Sequence, residues 1–188
     1  MDAAEPAPAR EFTLRRAVAE DAPAIGAVFD AAVRDGWTFL GELAQRPMFS
    51  AQDWDQLVAD HGPPNAMLVA SDAAHGIIGY TAVDTEEGEM FLLFVDPAHA
   101  GRGVGRALLN AAHDVLRAAG HTEVFLYTEE RNTRARAVYA AAGYCPDGTA
   151  RTSELHGVLL RELRLVKTFH GPRRSERGHL GRPGQAGS

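Results

Sequence analysis

Leu93-Phe94-Val95-Asp96-Pro97-Ala98-His99-Ala100-Gly101-Arg102-Gly103-Val104-Gly105-Arg106-Ala107-Leu108 decides how this chain folds. The apolar run ending at Val95 reads as a buried strand, and Asp96-Pro97 stops it. Past the glycines, Val104, Leu108, Ala111, Val115 and Leu116 recur at helical spacing. The stretch is therefore strand, glycine-rich turn, helix. Alternate glycines at Gly101, Gly103 and Gly105 let backbone N–H groups approach an anion with no Cβ in the way. The positive end of the helix dipole points at the same place. A turn so built suits a diphosphate.

The common phosphate loops do not fit it. A dinucleotide fingerprint started at Gly101 needs its third glycine where Arg106 stands, and one started at Gly105 needs its second at Ala107. A nucleoside-triphosphate loop ends in Gly-Lys-Ser/Thr, and no such tripeptide follows Gly105.

A second segment narrows the choice. Val124-Phe125-Leu126-Tyr127-Thr128 reads as a strand, and Asn132, Ala135, Tyr139, Gly143 and Tyr144 follow it. Asn132 suits a helix N-cap, Ala135 and Tyr139 share one helix face, and Gly143 suits the helix C-terminus. By itself this is a capped helix burying an aromatic.

Together the two segments resemble the GNAT superfamily of acyl-CoA-dependent N-acyltransferases. The superfamily's pyrophosphate loop is written Gln/Arg-x-x-Gly-x-Gly/Ala. Gly103 and Gly105 fit it, while Ala100 stands where Gln or Arg is usual, at the expense of a side-chain contact but not of the backbone cradle. The resemblance spans about residues 12–166 and is weakest before residue 65. It implies an α/β fold with a mixed, mostly antiparallel central sheet flanked by helices, its fourth and fifth strands splayed. Between those strands, Glu89–Val95 and Val124–Thr128, the pantetheine arm would lie like an extra strand, bonded to backbone groups of Phe94 and Val95. Gly101, Arg102, Gly103, Val104, Gly105 and Arg106 would hold the diphosphate, and Asn132 would touch the arm. A β-bulge usually opens the fourth strand, but nothing in the sequence locates it.

The implied chemistry is direct attack of an amine, of a small molecule or a peptide, on the thioester of acetyl-CoA. Tyr139 is the general acid for the departing thiolate. Glu89 is the candidate base, at an offset where some members carry one; it reads equally as a strand-start acid facing solvent. Asp84, Glu86 and Glu87 are explained by a hairpin turn. The competing reading is a non-catalytic acyl-CoA-binding sensor or partner module, and retention of Tyr139 favours the enzyme. A homodimer stays open.

The rest of the chain fits one domain of ordinary composition, 45% hydrophobic over 188 residues. Its single cysteine, Cys145, excludes an internal disulfide and suits a reducing compartment. No apolar run approaches the roughly 20 residues of a membrane span, and Met1 to Arg10 lacks the features of a signal peptide, so the cytoplasm is expected. Residues 1–10 read as a disordered leader, 11–167 as the N-acetyltransferase domain and 168–188 as a disordered basic tail. Five of the 19 basic residues, against Glu176 alone among the acids, lie in 167–188; residues 1–166 keep 14 bases and 24 acids, a net of −10. An acidic body argues against a nucleic-acid partner and favours a cationic substrate by steering.

Along the domain the expected order is a strand over Phe12–Arg16, a helix from about Asp21 to Val33, and a loop over 35–49. A short helix then spans Ser50–Asp60, and strands follow at Ala66–Ala70, Gly76–Val83 and Glu89–Val95. The two motifs come next, and a closing strand covers Val158–Val166. Trp37, Phe39, Phe49 and Trp54 fall where acceptor-binding elements usually sit, or serve the core. His61, His75, His99, His113, His121 and His156 lack metal-ligand spacing, so no metal is expected.

Overall fold

A computed structural model describes residues 12–169; the expected leader and all but the first two residues of the expected tail lie outside it. Seven strands form one sheet: β1 (Phe12–Arg16), β2 (Ala66–Asp72), β3 (Gly76–Asp84), β4 (Glu89–Val95), β5 (Glu123–Glu129), β6 (Cys145–Leu155) and β7 (Val158–Thr168). Helices α1 (Ala22–Gly36), α2 (Ala51–Asp60), α3 (Val104–Ala118) and α4 (Thr133–Ala141) flank it. The spatial order is β1-β2-β3-β4-β5-β7-β6, antiparallel throughout except for the parallel contact of β4 with β5. Among the described residues no helix is long and apolar enough to cross a membrane.

Strand alternation divides the core in two. Leu68, Ile78, Met90, Val124 and Leu126 pack with Val104, Leu108 and Leu116 of α3 and with Tyr139 of α4. Met67, Val69, Tyr80 and Ala82 pack on the other face with Ile25, Phe29 and Val33 of α1 and with Trp54 and Val58 of α2. Burial of this order on both faces is what makes the sheet rigid enough to carry a cleft.

Two irregularities shape that cleft. The register of β3 on β4 runs Ala82↔Leu92 and then Val83↔Met90, so Phe91 is the extra residue of a β-bulge. Phe91 is accordingly exposed, while Met90 joins Leu93 and Val95 on the α3 face. Without the bulge, period-two alternation would put Glu89 on that face and Met90 opposite. The second irregularity is that β4 and β5 pair only at Glu89↔Phe125 among the described residues, with Phe125 N donating to Gly88 O at 3.2 Å. Beyond that point the strands diverge.

Three sequence expectations change. Residues 38–45 form 3₁₀ turns broken at Gly41 (φ 57°) rather than a plain loop. The strand β6 was not expected: nearly every residue of it is exposed, so no apolar alternation marks it. It adds to β7, so β7 is an inner strand and β6 the edge. The closing strand expected to end at Val166 also runs on to Thr168, which pairs with Glu123, and Phe169 N donates to Thr122 O at 2.7 Å.

Candidate active site

The glycine turn does what its composition asks. Gly101 (φ 78°) and Gly103 (φ 83°, ψ 2°) take left-handed backbone that a side chain would strain. Gly103 is also the N-cap of α3 and has no side chain to cap with. The first intrahelical bond runs from Ala107 N to Gly103 O at 3.0 Å, so the amides of Val104, Gly105 and Arg106 have no intrahelical partner. Contrast α2, where Ser50 Oγ accepts from Asp53 N, and α4, where Asn132 Oδ1 accepts from Ala135 N at 3.0 Å. Of α3 and α4, which both line the cleft beside the end of β4, α3 is the one without a side-chain cap.

Its seat is equally particular. A Cβ on Gly79 of β3 would meet Phe94 O at 3.0 Å and Leu108 Cδ1 and Val104 Cγ1 at 3.1 Å. Glycine there lets the first turn of α3 lie down on β3 and β4, which fixes the amides against the end of β4.

The helix α4 is closed at both ends. Tyr144 N donates to Tyr139 O and Gly143 N to Ala140 O, both at 3.0 Å, with Gly143 left-handed (φ 89°). This is a Schellman motif, and its hydrophobic contact is the Tyr139–Tyr144 ring pair at 5.9 Å. Tyr139 is thereby locked, 7% exposed, and burial raises its phenol above the usual range.

Between these parts, beside the end of β4, lies a cleft of about 750 Å³. Of the residues singled out in the sequence, Phe94, Val95, Gly101, Gly103, Val104, Gly105, Arg106, Asn132 and Tyr139 line it. Arg102 and Glu89 do not. Glu89 sits at the far end of β4, its carboxyl raised by burial, opposed by Arg151 and reinforced by Asp84, Glu162 and Glu87.

The fold adds residues the sequence did not suggest. Lys167, the last residue of the expected domain, lines the cleft and donates through Nζ to Ala142 O at the end of α4. Asp35 and Arg134 bridge its rim at 3.0 Å. Behind Tyr144, the buried His113 Nε2 lies 2.9 Å from the Tyr144 hydroxyl. Only helical spacing could have hinted at His113; Lys167 and Asp35 depend on tertiary folding and left no local signal. Of the four aromatics, Trp37 reaches the cleft, while Phe49 and Trp54 pack on Phe29 at 5.4 and 5.2 Å.

The family model described as acetyltransferase (GNAT) family matches residues 29–144. A mycothiol acetyltransferase of Beutenbergia cavernae is 52% identical over 63 residues, 34% of this chain and 21% of that protein. One from Clavibacter sepedonicus is 37% identical over 124 residues, 62% of this chain and 41% of that protein. The chain thus spans well under half the length of these curated relatives. A phosphinothricin acetyltransferase from Sinorhizobium meliloti, solved with acetyl-CoA, superposes with TM-score 0.66 at 23% identity over 85% of this chain and 89% of that one. A ribosomal-protein-alanine N-acetyltransferase from Brucella melitensis superposes with TM-score 0.66 at 19% identity, over 84% of this chain and 99% of that one. At such identities the likeness is one of fold.

Proposed function

The chain belongs to the GNAT acetyltransferase family, and from that premise we propose that it transfers the acetyl group of acetyl-CoA to a primary amine by direct attack. The acceptor is a small molecule or a peptide amine, and the relatives' name makes a mycothiol-related amine the first to screen. The observation that carries this reading is the uncapped first turn of α3, open to a cleft whose wall holds Tyr139.

Two demands of coenzyme binding match parts of the cleft. The diphosphate needs donors: the amides of Val104, Gly105 and Arg106 supply them at about 1.5–3 kcal/mol per charge-assisted bond, and the Arg106 guanidinium adds charge. The pantetheine arm needs partners for its amides, and at Phe94 and Val95, which line the cleft, β4 has no β5 ladder partner. Asn132 spends its Oδ1 on capping, leaving Nδ2 as the group for the arm.

The amine must attack as a free base. For a lysine-like pKa of about 10.4, neutrality at pH 7 costs about 4.6 kcal/mol, enough for a base to matter. Glu89 is that base in this proposal, and the bulge at Phe91, which takes it off the α3 face, supports the reading. Its raised pKa strengthens it as a base.

The departing thiolate needs a proton. With its pKa raised, Tyr139 is protonated across the physiological range. Full transfer from so weak an acid is uphill, so its part is to donate a hydrogen bond that strengthens as charge gathers on sulfur. The exposed free thiol of Cys145 accords with a reducing, cytoplasmic setting.

A turnover screen of acetyl-CoA against an amine panel, reading free thiol, tests the proposal. Acceptor-dependent thiol release supports it. Tight acetyl-CoA binding without turnover for any amine would replace it with a binding module.

A further inference from the structure

No two of the eight histidines stand at a local metal-ligand spacing, yet the fold brings two of them together. His75 lies in the turn between β2 and β3, Asp72 at the end of β2, and His99 in the 3₁₀ turn Pro97–His99 just before the glycine loop. One ligand atom from each lies within 4.8 Å of the others. The two imidazoles meet edge to face, their centroids 4.8 Å apart.

Two observations set this apart from a solvated cluster. The His99 side chain is 7% exposed, and its Nδ1 is buried without a hydrogen-bond partner; Asp96 Oδ2 stands 3.4 Å away but outside hydrogen-bond geometry. A buried imidazole nitrogen without a partner is disfavoured, and a cation held by that nitrogen would satisfy it. The Asp72 side chain, 10% exposed, is also held in place: Oδ1 accepts from Ala74 N at 2.7 Å and lies 3.2 Å from His75 Nδ1. Two ligands are thus fixed by the fold, and the third, His75, is exposed and free to close.

We infer that Asp72, His75 and His99 bind a zinc ion. Two imidazoles and a carboxylate are the donor set this ion favours, with water in the fourth position. Ligands about 2.0–2.1 Å from a tetrahedral ion stand about 3.3 Å apart, so the cluster must contract by about 1.5 Å. The exposed His75 on its turn can supply that movement. The ion ties the β2–β3 turn to the loop that leads into α3 and serves as a staple, with no part in acyl transfer.

The inference is independent of the acyl-transfer proposal, and its test uses no coenzyme. Tag-free protein is titrated with zinc chloride by calorimetry, alone and as His75→Ala, and melted with and without the metal. One ion per chain is expected at this site, with a rise in Tm of about 5–10 °C at a hundredfold excess over Kd. Because His75 is exposed, His75→Ala keeps the fold, checked by circular dichroism, and weakens the binding at least tenfold while removing the Tm gain. Failure of the wild type to take up zinc overturns the inference. So does an affinity in His75→Ala equal to that of the wild type, which would put the ion elsewhere.

Discussion

Burial holds Tyr139 and His113 neutral from opposite ends of the pH scale. In Tyr139 it disfavours the phenolate, so the hydroxyl proposed to hydrogen-bond the leaving sulfur keeps its proton. Tyr139→Phe keeps the ring contact with Tyr144 and removes only the hydroxyl. It is expected to lower kcat by about 10²-fold or more with acetyl-CoA affinity unchanged, as steady-state rates and calorimetry together would show. In His113, burial first, then Lys167 and Arg117, lowers the pKa to about 4. The unfolded chain, near 6.5, therefore binds more protons between pH 6.5 and 4, and stability must fall as pH drops through that window. The whole effect is about 3 kcal/mol. His113→Gln keeps a partner for the Tyr144 hydroxyl and should flatten the loss, as urea midpoints at pH 7, 5.5 and 4.5 would reveal. Glu89 carries the opposite signature: its raised pKa puts the acidic limb of kcat/KM above the usual carboxylate range, and Glu89→Gln should abolish that limb along with most of the rate. An unchanged pH profile would remove Glu89 from the chemistry.

At the scale of elements, the position of α3 depends on one missing side chain. Gly79→Val would press on Phe94 O, Val104 and Leu108 together. Such overpacking costs about 1–3 kcal/mol and would lift the first turn of α3 from the end of β4. Weaker unfolding stability accompanied by at least tenfold weaker acetyl-CoA binding is the expected pair of results; a stability loss with intact affinity would mean the amides tolerate displacement. Elements also explain what could be read from the sequence. The glycine turn and the Asn132-to-Tyr144 segment were legible because backbone conformation dictates residue type there: left-handed φ calls for glycine, and an N-cap calls for a short acceptor. The edge strand β6 was invisible because solvent imposes no period on it. The bulge at Phe91 lay hidden because the apolar run over 90–95 suits either register. The seat of Lys167 depends on how β7 passes α4, which no local pattern encodes.

Over the described residues, the two cores lie on opposite faces of the sheet, and the cleft opens at the end of β4. A donor lying there contacts β4, α3 and α4 at once, so its binding is coupled to the global fold rather than to a loop. Saturating acetyl-CoA at about a hundredfold excess over Kd should raise Tm by about 5–10 °C, read by scanning calorimetry. Gly103→Val, forced into left-handed backbone at φ 83°, should lose most of that gain.

Where β4 and β5 part company, backbone donors and acceptors line two raw borders facing each other inside one chain. Such borders template foreign strands, and the proposed seat of the pantetheine would cover one of them. The coenzyme-free protein is therefore expected to be the form prone to strand exchange and clumping on storage, and acetyl-CoA in the buffer is expected to slow both, as light scattering over days would show.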